Sequence, residues 1–521
     1  MDIHNKDNTD KGSIFSEKPE PIFENVVAQK YPKEYEQMKA EEVPSEITSD
    51  DQVDKPVADV LQYIPSTAHE SKYRIFFIVA VIGFFLIILF VLFNVIKGGG
   101  KGSTIVPSGP VTLIYWGLWE DESVLKPVFD KYREKNPNVT IKYEKRDPKD
   151  YLNWLNTRIT NKGEPDIFRF HNTWLPQLST YNIIAPVPTE IISNADYEKT
   201  FHKIHQMDMK IGNRYYGIPL YVDGLVLLYN PSLLKSAGVA TVPTLLAGDF
   251  IDAAQKATAP GENGPTTAGV ALGSSKNVNH FSDIFGMIFL LNVLDDQSKL
   301  DNTWAKNAIK TVSTDQSVMA RGGEALQIYR EFEESKYWGE NMPTSVDAFA
   351  QGKVAMIFAP TWEIPIIMAK NSNLDFAVAK VPEGLSGRKV TIANYWAEGV
   401  SSRSKNQVEA WKLLKFMSEP SSLELLFKTQ TQQRGMGMAY SRIDMKQKLV
   451  DNPKLAPLIA ELDYMVSIPF ISYTFDGSMN DENIEYIRKA IDSAASGVSY
   501  SAAFSDAATG IAQVLLKYKI E

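Results

Sequence analysis

The chain has 521 residues, a net charge of −9 and no cysteine. Without a thiol, cysteine nucleophiles, disulfides, Cys-ligated metals and a lipid-bearing Cys are excluded. The charge is unevenly spread: residues 1–73 hold 8 Lys against 16 Asp plus Glu, which leaves −1 for residues 74–521. A near-neutral body argues against nucleic acid or any strongly charged polymer as its ligand.

Residues 1–73 are acidic, poor in apolar residues and interrupted by Pro19, Pro21, Pro32, Pro44, Pro56 and Pro65. Such a tract buries too little apolar surface to offset its ordering entropy, so it is expected to be a disordered tail. Ile75–Ile96 follows as 22 uncharged residues, 19 of them Ile, Leu, Phe or Val. As a helix it would be about 33 Å long, enough for a hydrocarbon core of about 30 Å. A cleaved signal peptide would have a short charged leader and a small-x-small site; here a long tail precedes the span and KGGGKG follows it. The expectation is a retained signal-anchor over 74–97, then a flexible linker over 98–110.

From Val111 the chain is globular in composition. Val111–Trp116 predicts a strand, Glu122–Asn136 a helix, Val139–Tyr143 a strand, Tyr151–Thr160 a helix, and Asp166–Phe170 a strand. This βαβαβ alternation implies a parallel sheet whose ligands bind beyond the carboxyl ends of the strands. That rule brings Trp116, Trp119 and Glu120, and then His171, Asn172 and Trp174, to one candidate site. Further on come the apolar strand Leu225–Tyr229, helical patterns at 246–258, 280–294 and 316–335, and a turn-and-strand unit over Phe349–Phe358. Short strands at Asp375–Val381 and Val400–Ser402 and helices at 406–417, 421–429, 482–496 and 500–518 complete the reading.

Five stretches in this order carry a resemblance: VTLIYWGLWED with NPNVTIKYE, GEPDIFRF, GNRYYGIPLYVDGLVLLYNPSLLKSAGV, AFAQGKVAMIFAPTW, and AEGVSSRSKNQVEAWKLLKFMSEPSSLELL. Residues 111–521 resemble extracellular solute-binding proteins of family 1, the sugar- and oligosaccharide-binding subunits of ABC importers. The chain departs from that family's usual pattern in its membrane anchor and long tail, in Tyr395-Trp396 where small glycines are usual, and in Leu245 where Trp usually follows the Pro-Thr pair. The resemblance implies an α/β, two-lobe periplasmic-binding-protein-like fold (type II). Lobe one would take about 111–221 and 374–420, lobe two about 222–373 and 421–521, with closure around a solute in the cleft. It also implies a small-molecule sugar or oligosaccharide as ligand, an ABC transporter permease as partner, binding lobes outside the cell and the tail in the cytoplasm.

Sugars present flat C–H faces and rings of hydroxyls, which aromatic faces and polar side chains match. The aromatics expected there are Trp116, Trp174, Tyr221, Trp362, Tyr395 and Trp396, with Trp362 and Trp116 facing each other across the cleft. Asp223 is expected to accept ligand hydroxyls, or else to cap a turn or hinge. Glu120, His171 and Arg434 complete the candidate set. His202-x-x-His205 lacks the nearby Glu of a metalloprotease helix, and no Walker loop, G-x-S-x-G elbow or dinucleotide fingerprint is present, so no metal, cofactor or catalytic residue is assigned. Two other classes stay open. A tethered sensing or adhesion module shares every site feature. A carbohydrate-active enzyme would need paired carboxylates, drawn from Glu120, Asp166 and Asp223, at a spacing that sequence does not reveal.

Overall fold

The computed structural model describes residues 109–301 and 308–520. The expected tail and membrane span, and the linker as far as residue 108, lie outside the described residues. Among the described residues no helix is long and apolar enough to cross a membrane. All of them belong to one compact unit, Ile105–Glu521.

In chain order the elements that shape the molecule are β1 (Val111–Gly117), α1 (Glu122–Lys135), β2 (Val139–Lys145), α2 (Tyr151–Lys162) and β3 (Ile167–His171). Then come β4 (Ile218–Pro219), β5 (Leu225–Tyr229), β6 (Ala268–Val270), α3 (Phe281–Val293), α4 (Gln316–Glu334), β7 (Val354–Pro360), α5 (Glu363–Lys370) and β8 (Ala377–Ala379). The last group is β9 (Trp396–Val400), α6 (Gln407–Met417), α7 (Pro420–Arg434), α8 (Met479–Ala495) and α9 (Tyr500–Lys517).

Local chemistry explains the first of these. In α1, Val124, Leu125, Val128, Phe129 and Tyr132 recur at helical spacing and are all buried, so one stripe of the helix drives it onto the sheet. Gly163 closes α2 in the left-handed conformation at φ +71°, which a glycine adopts without a Cβ penalty.

Two sheets form. The first has strand order β2-β1-β3-β9-β4. β1 is parallel to β2, with Val111 opposite Val139, and to β3, with Tyr115 opposite Ile167. β9 returns antiparallel to β3, Trp396 facing His171 and Val400 facing Ile167. The second sheet has order β8-β5-β7-β6, with β5 antiparallel to both β7 and β8 and β7 parallel to β6. Each sheet carries helices, giving a two-lobe α/β architecture.

Four short segments at the junction of the sheets are stitched to one another. Tyr221–Val222 pairs with Ala439–Tyr440, Thr391–Ile392 pairs with Met465–Val466, and Gly224 bridges to Ala393. A Cβ on Gly224 would stand 2.5 Å from the Ile392 carbonyl oxygen, so these segments approach this closely only because that residue is glycine.

Some elements differ from expectation. The strand expected at Val400–Ser402 begins at Trp396 instead, because Ala397 and Gly399 dilute the apolar signal that pattern reading needs. Of 374–420, expected in lobe one, β8 pairs in the second sheet and β9 in the first. Helix α7, expected in lobe two, packs on α1 of the first lobe. An apolar strand or helix face shows that it must be covered, not by which neighbour.

Candidate functional site

A cavity of about 610 Å³ opens between the two sheets, within the range of about 300–1,000 Å³ usual for small-molecule sites. Its first wall grows from the carboxyl end of β1. After Gly117 the chain turns sharply, and Trp119 sits at φ +66° with its side chain 41% exposed. Glu120 follows and is buried. Its Oε2 accepts from Arg169 Nη1 at 3.0 Å and its Oε1 from Gln430 Nε2 at 2.7 Å. Burial would raise this carboxyl, but Arg169 and Arg434 hold it below its ordinary range.

Arg169 comes from the middle of β3 and is fully buried. Its Nε donates to Glu398 Oε1 at 2.7 Å and its Nη1 to the Leu118 carbonyl at 3.1 Å. Arg434 ends α7, where Gly435 at φ +82° turns the chain away. Its Nη2 lies 3.7 Å from Glu120 Oε1, so the two Arg and two Glu of this wall balance in charge. Trp396 opens β9 and meets Trp119 at 5.8 Å between ring centroids, 67° apart.

The second wall grows from the carboxyl end of β7. Trp362 follows this strand by two residues and is half-buried. Its ring meets Tyr473 at 5.8 Å and 81°, and His280 at 5.4 Å and 77°. His280 holds Glu363 Oε1 at 3.0 Å through Nε2 and Ser472 Oγ at 2.8 Å through Nδ1. Phe475 continues the line, 6.2 Å from Tyr473 and 5.9 Å from Trp119. An unbroken arc of aromatic rings therefore runs from Trp396 through Trp119, Phe475 and Tyr473 to Trp362.

The backbone beneath this arc is strained. Eight non-glycine residues have positive φ among the described residues, and Trp119, Tyr473 (+61°) and Phe475 (+52°) are three of them; His280 (+58°), under Trp362, is a fourth. Bulky residues avoid this region, and strain of this kind gathers at ligand sites.

The description "bacterial extracellular solute-binding protein" belongs to the family model that matches residues 116–423. The chain belongs to this family. Solved structures agree in fold. A solute-binding protein of an ABC transporter from Thermotoga lettingae, bound with α-D-tagatose, is 19% identical, covers 78% of this chain and 99% of its own, and has a TM-score of 0.59. The sugar-binding protein MalE from Xanthomonas citri is 17% identical over 78% of this chain and 98% of its own, at 0.61. An extracellular solute-binding protein from Staphylococcus aureus in complex with maltose is 18% identical over the same shares, at 0.60. The family and these neighbours are binding proteins.

Of the residues anticipated from sequence, this solute-binding chain brings Glu120, Tyr221, Asp223, Trp362, Trp396 and Arg434 to the cavity lining. Asp223 is there in a different role. Its carboxylate accepts from the backbone N–H of Gly224 (2.7 Å), Thr361 (2.8 Å) and Trp362 (3.0 Å) and from Thr361 Oγ1 (2.8 Å). It thus ties the start of β5 to the turn that presents Trp362. Burial pushes it up to about 7 against those four hydrogen bonds. This is the turn- or hinge-cap role that the sequence left open for it.

Asn172, also expected there, lies off the cavity lining and donates to Asp208 and Ser467; four further expected contacts are corrected. Trp116 is buried away from the cavity: its Nε1 donates to Glu144 Oε2 at 3.0 Å and the Arg146 guanidinium lies 3.9 Å over its ring. The aromatic that reaches the cavity is Trp119, three residues later, on the strained turn. His171 is fully buried, with Nδ1 2.8 Å from Thr173 Oγ1 and Nε2 3.2 Å from Asn394 Oδ1; burial pushes it down to about 3. Trp174 packs edge-on behind Trp396 at 5.1 Å. Tyr395 turns away from the cavity, its hydroxyl donating to Asp208 at 2.8 Å, as the neighbour of a cavity residue in extended chain must.

The lining also contains Arg169, Glu363, Asn394, Tyr473 and Phe475. Arg169 sits inside an apolar strand, where sequence gives no hint that its partners come from 49 and 229 residues away. Tyr473 and Phe475 did leave a signal, the aromatic run FISYTFDG ahead of a helix.

Proposed function

We propose that this chain captures a sugar or oligosaccharide in the interlobe cleft and delivers it to the permease of an ABC importer. One observation carries the reading: aromatic rings from both lobes converge on a cavity that also holds Glu120, Arg434 and Asn394 as hydrogen-bonding groups. Ring faces suit the C–H faces of sugars and the polar groups suit their hydroxyls. The sugar ligands of the structural neighbours and the family membership support it. Ile75–Ile96 serves as a single-pass anchor that leaves the lobes outside and the acidic tail in the cytoplasm.

A thermal-shift screen of sugars, oligosaccharides, amino acids and peptides tests the ligand class. A sugar present at 100 times its Kd should stabilise the fold by about 2.7 kcal/mol. Stabilisation by peptides or amino acids alone would overturn the reading. Protease added to intact cells tests the anchor: it should remove the lobes and leave a small membrane-bound fragment, whereas a mature chain starting near residue 100 in the medium would refute it.

A further inference from the structure

The two walls of the cavity are chemically unequal. On the first, Arg169 and Arg434 offset Glu120 and Glu398, and Glu120 is already engaged by Arg169 and Gln430. On the second, the cavity-lining residues include Asp223 and Glu363 but no Lys or Arg. Glu363 is buried at the head of α5, and His280 Nε2 engages one of its oxygens, while a carboxylate has about four acceptor sites.

The aromatic geometry there is a corner. Trp362 and Tyr473 meet at 81° and Tyr473 and Phe475 at 63°. A stacked sugar ring needs one face; rings meeting at such angles suit a compact group held by several ring quadrupoles at once. Ring faces beside a carboxylate are the chemistry that holds an ammonium group.

Resting on the reading of the cleft as the solute site, we propose that the Trp362–Tyr473–Glu363 corner selects a solute carrying a positively charged nitrogen, such as a sugar chain with a protonated amine. Burial already holds Asp223 and Asp283 above their ordinary range on this side, and a bound cation would relieve the cost of their ionisation. Arg434 lies on the opposite wall, paired with Glu120.

The test is calorimetric titration of the full chain in detergent near neutral pH with three probes: the diamino disaccharide of β-1,4-linked glucosamine, cellobiose as its neutral counterpart, and tetramethylammonium. The diamine is expected to bind about tenfold more tightly than cellobiose. Glu363→Gln, which keeps the shape and an acceptor for His280, should weaken the diamine about tenfold more than it weakens cellobiose and so remove that preference. Trp362→Phe, a milder change that keeps a ring in the corner, should weaken the diamine several-fold without a drop in Tm. Cellobiose binding as tightly as the diamine would overturn the cation corner and leave the sugar reading standing. Tetramethylammonium binding with neither disaccharide would support the corner and overturn the sugar reading. Binding of none of the three would overturn the proposal.

Discussion

The two walls of the cleft solve the same problem with different physics. The first-lobe wall is a closed polar network: Arg169 is spent on Glu120, Glu398 and the Leu118 carbonyl, and Gln430 completes Glu120. Its groups are buried and their geometry over-determined. The second-lobe side is an aromatic edge carried by a strained loop, with Tyr473 38% and Phe475 40% exposed. A wall of the first kind sets shape, because Arg169 and both oxygens of Glu120 are already engaged, while Arg434 keeps donors to offer. A wall of the second kind offers unspent ring faces. On the proposed reading of the cleft, stability rests mainly on the first wall and solute discrimination mainly on the second.

That division breaks most visibly at Arg169. Arg169→Met leaves buried Glu398 without its counter-charge and Glu120 with Arg434 alone, and removing one partner of a buried pair costs about 3–5 kcal/mol. Chemical denaturation should show this loss before any ligand is added. A variant of unchanged stability would mean that the first wall is not the structural one.

Asp223→Asn comes next. Asparagine has a single acceptor oxygen to face four donors, and its NH₂ opposes them. A loss of about 1.5–3 kcal/mol is expected in urea unfolding. If affinity falls while stability holds, Asp223 contacts solute instead of capping the hinge.

The buried His171 sharpens the comparison through pH. Its folded value is held down to about 3 by burial, against about 6.5 unfolded. Below about pH 6.5 the unfolded chain binds a proton that the folded chain does not, so this contribution is complete at pH 7 and is lost as pH falls. At pH 5 the loss is about 2 kcal/mol. Asp223 runs the other way: raised to about 7, it favours the folded state increasingly as pH falls from 7 towards 4. The measurement is therefore the difference between the wild-type chain and His171→Gln at pH 7 and pH 5, in which the Asp223 contribution cancels. The variant should lose about 2 kcal/mol less. Equal losses would show that His171 is accessible to protons in the folded state.

The smallest expected effect belongs to Trp119, the exposed ring of the first wall. Trp119→Ala should weaken solute binding by about 1 kcal/mol, roughly fivefold, with little change in melting temperature because the ring is 41% exposed. A large drop in Tm with binding intact would move Trp119 from the solute face to the fold.

Much of this molecule is local in origin. The βαβαβ opening, the turn at Gly352 before β7 and the final helical pair follow from periodicity and turn residues, which act over a few residues and are therefore visible in sequence. Trp362, Trp396 and Glu120 were within reach for the same reason: strand ends in an open α/β sheet point to the cleft. Which strand-end residue faces the solute was not. Trp116 and Trp119 differ by three positions, and a positive φ at Trp119 decides between them; Tyr395 and Trp396 are adjacent, and the pleat sends only one inward. Sequence by itself determined that this chain is a two-lobe α/β binding protein with aromatics at its strand ends. Only the tertiary structure decided that Arg169 binds Glu120 and Glu398, that Asp223 caps the hinge, and that Tyr473 and Phe475 complete the aromatic arc. Those choices join residues tens to hundreds of positions apart, and packing across the sheets, not local propensity, selects such pairs.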